Sequence, residues 1–255
     1  MHMKRQYIFK LENLLDIKKK SLEYGLISNI PKELLFLEIL NFYESDSLNF
    51  IWLGRIHYND AWDIQKKIHQ LILQDKIKDT ILFLEHFHVY TFGKNADQNH
   101  LLPSYNKQAE IIQSDRGGDI TYHGPGQLVV YPVINLNKYK KSISWYINII
   151  EQIIIDTLKE YNINANRKDG LTGVWVEEEK IAAIGVRLSK WITMHGFALN
   201  IKPDLSFYNG MIPCGIFEYG ITSIFELSGI KIDSIDIVKN IIKQFSNNFI
   251  QNNEI

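Results

Sequence analysis

The chain carries one cysteine, Cys214, in the run Met211-Ile212-Pro213-Cys214-Gly215-Ile216. Pro213 fixes its own φ, and Gly215 offers an unshielded backbone N–H one residue past the sulfur. The segment therefore suits a thiol on a tight turn with an oxyanion donor beside it. A lone cysteine is more often a small buried apolar residue, and a buried cysteine in a turn fits the same residues. A thiol nucleophile must populate its thiolate, so its ordinary pKa of about 8.5 has to fall beside a cation or a base. His86, His88, His123, His195 and the lysines are candidates for that neighbour. Lys180 stands out by position. It opens the strand-like run Lys180-Ile181-Ala182-Ala183-Ile184-Gly185-Val186-Arg187, whose small residues leave space against one face. On pattern alone, a lysine just after Glu177-Glu178-Glu179 is more simply a hairpin-turn residue.

A second group of functional side chains lies between Arg116 and Pro132, R-G-G-D-I-T-Y-H-G-P-G-Q-L-V-V-Y-P. A plain turn does not need Arg116, Thr121, Tyr122 and His123, and a plain strand does not tolerate the glycines. The stretch reads as backbone that must come close to a ligand, followed by a buried strand. His123 and His195 each precede a glycine and are candidates to line a site. The eight histidines form no H-E-x-x-H and no Cys/His cluster, so no metal site is expected. Neither G-x-S-x-G nor the nucleotide-binding glycine fingerprints occur.

The elements that must position these residues begin at Asn49. Phe50 to Ile56 is strand-like. Asn59 or Asp60 is placed to cap a helix with Ala61, Ile64, Ile68, Leu71 and Ile72 on its apolar face. Short strands follow at Thr80 to Leu84, Val89 to Phe92 and Ile111 to Gln113. After the glycine-rich stretch come a strand from Leu128 to Leu136 and a helix from Trp145 to Tyr161, capped by Ser142 or Ser144. Gly173 to Glu177 and Lys180 to Leu188 form a hairpin, Trp191 to Ile201 a further strand, and Pro203 to Gly215 a loop-rich region. A last helix starts at Asp233 or Ser234 and runs through Phe249. Strands in hairpins with helices at intervals predict an α+β fold, with a mixed or antiparallel sheet and flanking helices.

At 255 residues and 45% hydrophobic the chain can bury a real core. A net charge of −1 offers no global basic field, so no nucleic-acid partner is expected. A single cysteine permits no intrachain disulfide, which fits a reducing compartment. No apolar run reaches the ~18 residues of a membrane span. There are 40 isoleucines, and 23 lysines against 5 arginines, so Ile-for-Val and Lys-for-Arg choices carry no structural message. Residues 1–48 differ from the rest: Lys4, Arg5, Lys10, Lys18, Lys19 and Lys20 crowd the first twenty positions against only Glu12 and Asp16. They read either as a targeting remnant or as a surface extension with a helix from Pro31 to Tyr43, ahead of a domain at 49–250 and a tail at 251–255. The first reading allows an organelle, plastid-like or mitochondrial; the default is the cytoplasm.

Four segments taken together resemble the lipoyl(octanoyl) transferase family: Arg116 to Leu128, Lys180 to Arg187, His195-Gly196-Phe197-Ala198-Leu199-Asn200, and Pro213-Cys214-Gly215-Ile216. Their order and spacing agree with the family from about Asn49 to Phe249. The resemblance implies the fold of the lipoate- and biotin-ligase catalytic domain. It implies that Cys214 is the acyl-thioester nucleophile and that Lys180 lowers the thiol's pKa and moves protons. Substrate contacts fall on Arg116, Gly117, Gly118, Asp119, Ile120, Thr121, Tyr122 and His123. They fall also on Ala183, Ile184 and Gly185, and on Gly196, Phe197 and Ala198. From the residues themselves, His86, His195 and Gly215 are further candidates to line the site. The implied reaction is the first step of lipoate synthesis. An octanoyl group passes from octanoyl-acyl carrier protein to a lysine of a lipoyl domain, in a 2-oxoacid dehydrogenase complex or the glycine cleavage H protein. No cofactor is implied beyond the phosphopantetheine of the carrier. Tyr122, Leu128, Val130 and the Ile184 strand are expected to form the apolar wall. Lys138, Lys140, Lys141, Arg187 and Lys190 are a candidate docking patch for the acidic carrier, although ordinary solvated lysines explain them as well. Two other readings remain: an ATP-dependent lipoate–protein ligase, or a binding module without catalysis.

Overall fold

The computed structural model describes residues 48–212 and 219–249. Cys214, Gly215, the residues before Leu48 with their expected helix, and the tail lie outside them.

The strands are β1 (Asn49–Ile56), β2 (Thr80–His86), β3 (Val89–Phe92), β4 (Glu110–Gln113), β5 (Ile120–His123), β6 (Gln127–Val133), β7 (Asn166–Lys168), β8 (Leu171–Val176), β9 (Glu179–Ser189), β10 (Ile192–Asn200) and β11 (Gly220–Ile221). The helices are α1 (Tyr58–Leu73), α2 (Ile143–Lys159), α3 (Ile224–Ser228) and α4 (Ser234–Phe249). Among the described residues the large sheet has the order β1-β2-β6-β10-β9-β8-β7, with β11 alongside β9, and a small sheet has the order β4-β3-β5. In the large sheet β1 and β2 are parallel, joined through α1, and β11 is parallel to β9. The other neighbours are antiparallel. This is the mixed sheet with flanking helices that the sequence predicts.

Strands buried on both faces read as nearly continuous apolar runs, with successive side chains going to opposite sides. In β2, Ile81 and Phe83 enter the core under α2 and α4, whereas Leu82 and Leu84 enter the core under α1. In β6, Leu128 and Val130 take the first side, and Val129, Tyr131 and Val133 the second. Helix α2 buries Tyr146, Ile150, Ile153, Ile154 and Leu158 at helical spacing, and Ser142 caps it by accepting from the Trp145 N–H.

Of the boundaries that differ from the sequence reading, two have a clear physical cause. Helix α1 starts at Tyr58, with His57 at the N-cap making no side-chain cap bond. Tyr58 is buried against ring systems of the site, and that packing outweighs the caps offered by Asn59 and Asp60. Strand β6 stops at Val133, because Asn135 caps a 3₁₀ turn over Leu136–Lys138.

Candidate active site

The edge of the small sheet meets the middle of the large one around a cavity of about 510 Å³. One wall is the loop entering β5, with Arg116, Gly118, Asp119, Ile120, Thr121 and His123. Facing it are Ala183, Ile184 and Gly185 of β9 and His195, Gly196, Phe197 and Ala198 of β10. Lys180 lines it as well. The two strand segments are in direct register, Gly185 opposite Gly196 and Ile184 opposite Phe197. The loop reaches them through the Gly117 N–H, which donates to Val186 O at 2.9 Å. A Cβ on Gly185 would stand 3.0 Å from Gly117 O, so the bare backbone there is what allows the approach.

Arg116 shapes the loop from inside. It is 6% exposed, and its guanidinium donates to Thr91 O, Thr91 Oγ1 and Gly117 O. Much of its donor fork is thus spent on β3 and on its own loop, while part of the side chain borders the cavity. Asp119 accepts from the Ile120 N–H and from His100 Nδ1, and both Asp119 and His100 face the cavity.

Lys180 is 7% exposed. Its Nζ lies 4.6 Å from the centre of the Trp175 ring. The backbone N–H of Thr222 donates to Lys180 O, and Ile221 pairs with Lys180 in the β11–β9 ladder. Met211 and Ile221, on either side of residues 213–218, both line the cavity.

Three buried histidines stand together beside it. His86 Nδ1–H donates to Ile56 O, and its Nε2 accepts from Tyr131 OH. Burial pushes its pKa down to about 4. His195 is held at about 3 by burial first, then by Arg116, Arg187 and Lys66. It is therefore a neutral imidazole that donates Nε2–H to Asp115 at 2.7 Å, and Arg187 pairs with the same carboxylate. The ring sits on a backbone with φ of +55°, pinned by its N–H donating to Gln65 Oε1. Burial, followed by His86, also lowers His123 well below the usual value, against the opposing hydrogen bond to Gln127.

Some expected residues do not reach the cavity. Tyr122 points away from it by strand alternation, into the cluster with Tyr90 and Phe207, and its hydroxyl meets His88 Nδ1. Leu128 and Val130 belong to the core under α2, so among the expected wall residues Ile184 alone faces the cavity. Gly117 and His86 support lining residues and do not line it themselves. Of the candidate docking patch, Lys138 pairs with Asp79 and Arg187 with Asp115, while Lys140, Lys141 and Lys190 are exposed. Tyr58, Tyr131, Asn200 and Tyr208 line the cavity without having been singled out from the sequence. Asn200 ends the His195-to-Asn200 block and was there to be read.

The model of the lipoyl protein ligase A/B catalytic domain matches residues 57–246. An octanoyltransferase from Cytophaga hutchinsonii is 46% identical over 195 residues, covering 68% of this chain and 80% of that protein. The chloroplastic octanoyltransferase LIP2p2 of Arabidopsis thaliana is 44% identical over 176 residues, covering 66% of this chain and 63% of that protein. Among solved structures, the bipartite lipoate protein ligase studied with its E2 lipoyl domain from Thermoplasma acidophilum superimposes with a TM-score of 0.61. It is 14% identical, covering 79% of this chain and 83% of that one, and so speaks for the fold. The chain belongs to the lipoyl protein ligase A/B catalytic domain family, on its octanoyltransferase branch, and is an acyltransferase.

Proposed function

We propose that the chain moves an octanoyl group from octanoyl-acyl carrier protein to a lysine of a lipoyl domain, through a thioester on Cys214. The observation that carries this reading is Lys180, a buried lysine on the wall of a cavity. Met211 and Ile221, on either side of the segment that holds the chain's single cysteine, line the same cavity.

In the first step the Cys214 thiolate attacks the carrier's thioester and the pantetheine thiol departs. Attacking and leaving sulfurs are alike, so the exchange is near thermoneutral. In the second step the acceptor amine attacks the Cys214 thioester, an amide forms, and the thiol is released; this step runs downhill. The acyl group arrives activated, so no ATP is consumed. A lysine ammonium beside Cys214 stabilises the thiolate and can protonate the departing pantetheine sulfur. As a neutral amine it then takes the proton lost by the incoming lysine, whose ordinary pKa of about 10.4 leaves it a poor nucleophile.

A cavity of about 510 Å³ is of ordinary ligand size, with room for the acyl chain and the group that delivers or receives it. Ile184, Phe197, Ala198 and Met211 supply apolar lining. At about 0.8 kcal/mol for each buried methylene, an octanoyl chain contributes several kcal/mol before ordering costs. The acceptor is the lipoyl domain of a 2-oxoacid dehydrogenase complex or the glycine cleavage H protein. The chloroplastic relative supports an organellar setting for such a chain.

Intact-mass measurement after mixing with octanoyl-carrier tests the reading. The expected result is an octanoyl adduct that is labile to hydroxylamine and missing in Cys214→Ala. An unmodified wild-type mass, under conditions where acyl groups are transferred, would sink the thioester route. Adenylate formation from ATP and lipoic acid would point instead to a ligase.

A further inference from the structure

His123 is the end of a hydrogen-bond chain whose direction is set by backbone carbonyls. At the far end Asn200 Nδ2 donates to Thr222 O at 2.9 Å. A carbonyl can only accept, so Asn200 must turn its Oδ1 the other way. That oxygen receives Gln127 Nε2 at 2.9 Å, and the same Nε2 lies 3.3 Å from a second carbonyl, Tyr122 O. Tyr208 OH also donates to Asn200 Oδ1. With its NH₂ group committed, Gln127 presents Oε1 to His123 Nδ1 at 2.8 Å. An amide oxygen accepts only, so Nδ1 carries the proton and Nε2 carries the lone pair.

Gln127 is 1% exposed, Asn200 3% and His123 6%, so water does not compete for these bonds. The His123 ring is stacked at 6.1 Å on Tyr58 and met edge-on by His86 at 5.7 Å, which fixes its plane. His123 lines the cavity, and among the described residues its Nε2 makes no hydrogen bond. The chain also reaches the catalytic strand, because the Thr222 N–H donates to Lys180 O.

We propose that Gln127 and Asn200 are positioning residues that lock His123 as the Nδ1–H tautomer, so that Nε2 meets the substrate as a neutral acceptor for an N–H group. This rests on the acyl transfer proposed above and names the polarity of one wall of that site. Burial disfavours the imidazolium, so His123 orients a donor without taking its proton. A carbonyl or carboxylate placed there would face a lone pair and be disfavoured. An octanoyl chain has no N–H. The two sources of one are the amide of the pantetheine arm, present during loading of Cys214, and the acceptor lysine's amine, present during transfer.

The test uses the full chain with ¹⁵N-labelled histidine, the His123 ring signals being assigned by their loss in His123→Asn. In the wild type Nδ1 should show the protonated, pyrrole-type shift and Nε2 the unprotonated one; the reverse assignment overturns the proposal. In Gln127→Met the tautomer preference should be lost, and at least one of loading and transfer should slow tenfold or more in single-turnover mass measurements. Selective slowing of loading identifies the pantetheine amide, and selective slowing of transfer the lysine amine. A retained Nδ1–H tautomer in the variant, or both rates within threefold of wild type, overturns the role. Should the variant fail to fold, the wild-type tautomer still decides. A wild-type chain that shows the Nδ1–H tautomer but forms no adduct refutes the proposed reaction and leaves this assignment standing.

Discussion

The stem of Lys180 lies against the place where Gly173 has no side chain: a Cβ built on Gly173 would stand 3.3 Å from Lys180 Cε and 3.5 Å from Cδ. Gly173 has φ of +136°, and the same Cβ would come within 2.8 Å of Ala182 O. Its N–H donates to the buried Glu151 carboxylate of α2, which also takes Arg167 Nε. Just past it, the β8–β9 register shifts between Val174 and Trp175. An irregular stretch of β8, anchored by α2, thus shapes the bed on which the lysine lies.

Gly173→Ala is therefore expected to cost about 2 kcal/mol of stability through the strained φ and the carbonyl contact. It should also lower octanoyl transfer by more than tenfold, because the lysine stem must move. Urea unfolding and single-turnover rates check both. Wild-type rates in a folded variant would show that the bed under Lys180 is not needed.

Trp175 has two cations near its ring, Lys180 Nζ at 4.6 Å and Lys168 Nζ at 5.3 Å from its centre. A cation over an indole face gains about 0.5–2 kcal/mol, which corresponds to roughly two- to thirtyfold in a population. Trp175→Leu should keep the fold and reduce transfer by about tenfold by letting Lys180 leave its place, whereas Trp175→Phe should recover most of the rate. Equal losses in the two variants would mean that the ring acts only as packing.

Arg116 is expected to behave as the holder of its loop more than as a binder of substrate. Its fork serves Thr91 O, Thr91 Oγ1 and Gly117 O, and a lysine cannot reproduce planar contacts of that kind. Arg116→Lys leaves buried acceptors unpaired, at about 1–3 kcal/mol. The melting temperature should fall by several degrees, and the Michaelis constant for the octanoyl donor should rise with it. A rise in that constant with unchanged melting would return Arg116 to a direct substrate role.

The sheet was legible in the chain because strands buried on both faces write long apolar runs, as in β2 and β6, and helix α2 writes its spacing. The blocks that meet at the cavity were legible through their glycines: Gly185 faces Gly196 across a ladder, and Gly117 reaches Val186. What stayed hidden was which way individual side chains turn. Tyr122 and His123 are adjacent, and strand alternation alone sends one to the core and the other to the cavity. Nor does any local pattern mark Tyr58 or Tyr208, which arrive from a helix start and a 3₁₀ turn distant in sequence. The pairings of Lys138 with Asp79 and of Arg187 with Asp115 are equally long-range, and they take two charges of the candidate docking patch into ion pairs.

The three neutral histidines beside the cavity predict acid sensitivity with a definite sign. His86 falls from 6.5 to about 4 and His195 to about 3, and His123 is lowered well below 6.5, in each case chiefly by burial. In the unfolded chain all three take up protons near pH 6.5, while in the folded chain they stay neutral to much lower pH. The unfolded state thus binds more protons below pH 6.5, and stability falls as pH drops through that window. It is fully present above pH 6.5. Each histidine contributes a slope of up to about 1.4 kcal/mol per pH unit, hence about 2 kcal/mol between pH 6.5 and pH 5. Urea midpoints should be level from pH 8 to pH 7 and fall steeply from pH 6.5 to pH 5. His86→Asn, an uncharged side chain, should make that fall shallower by about one proton. A wild-type midpoint that stays level down to pH 5 would mean that these rings are already charged, or already solvated, in the folded chain.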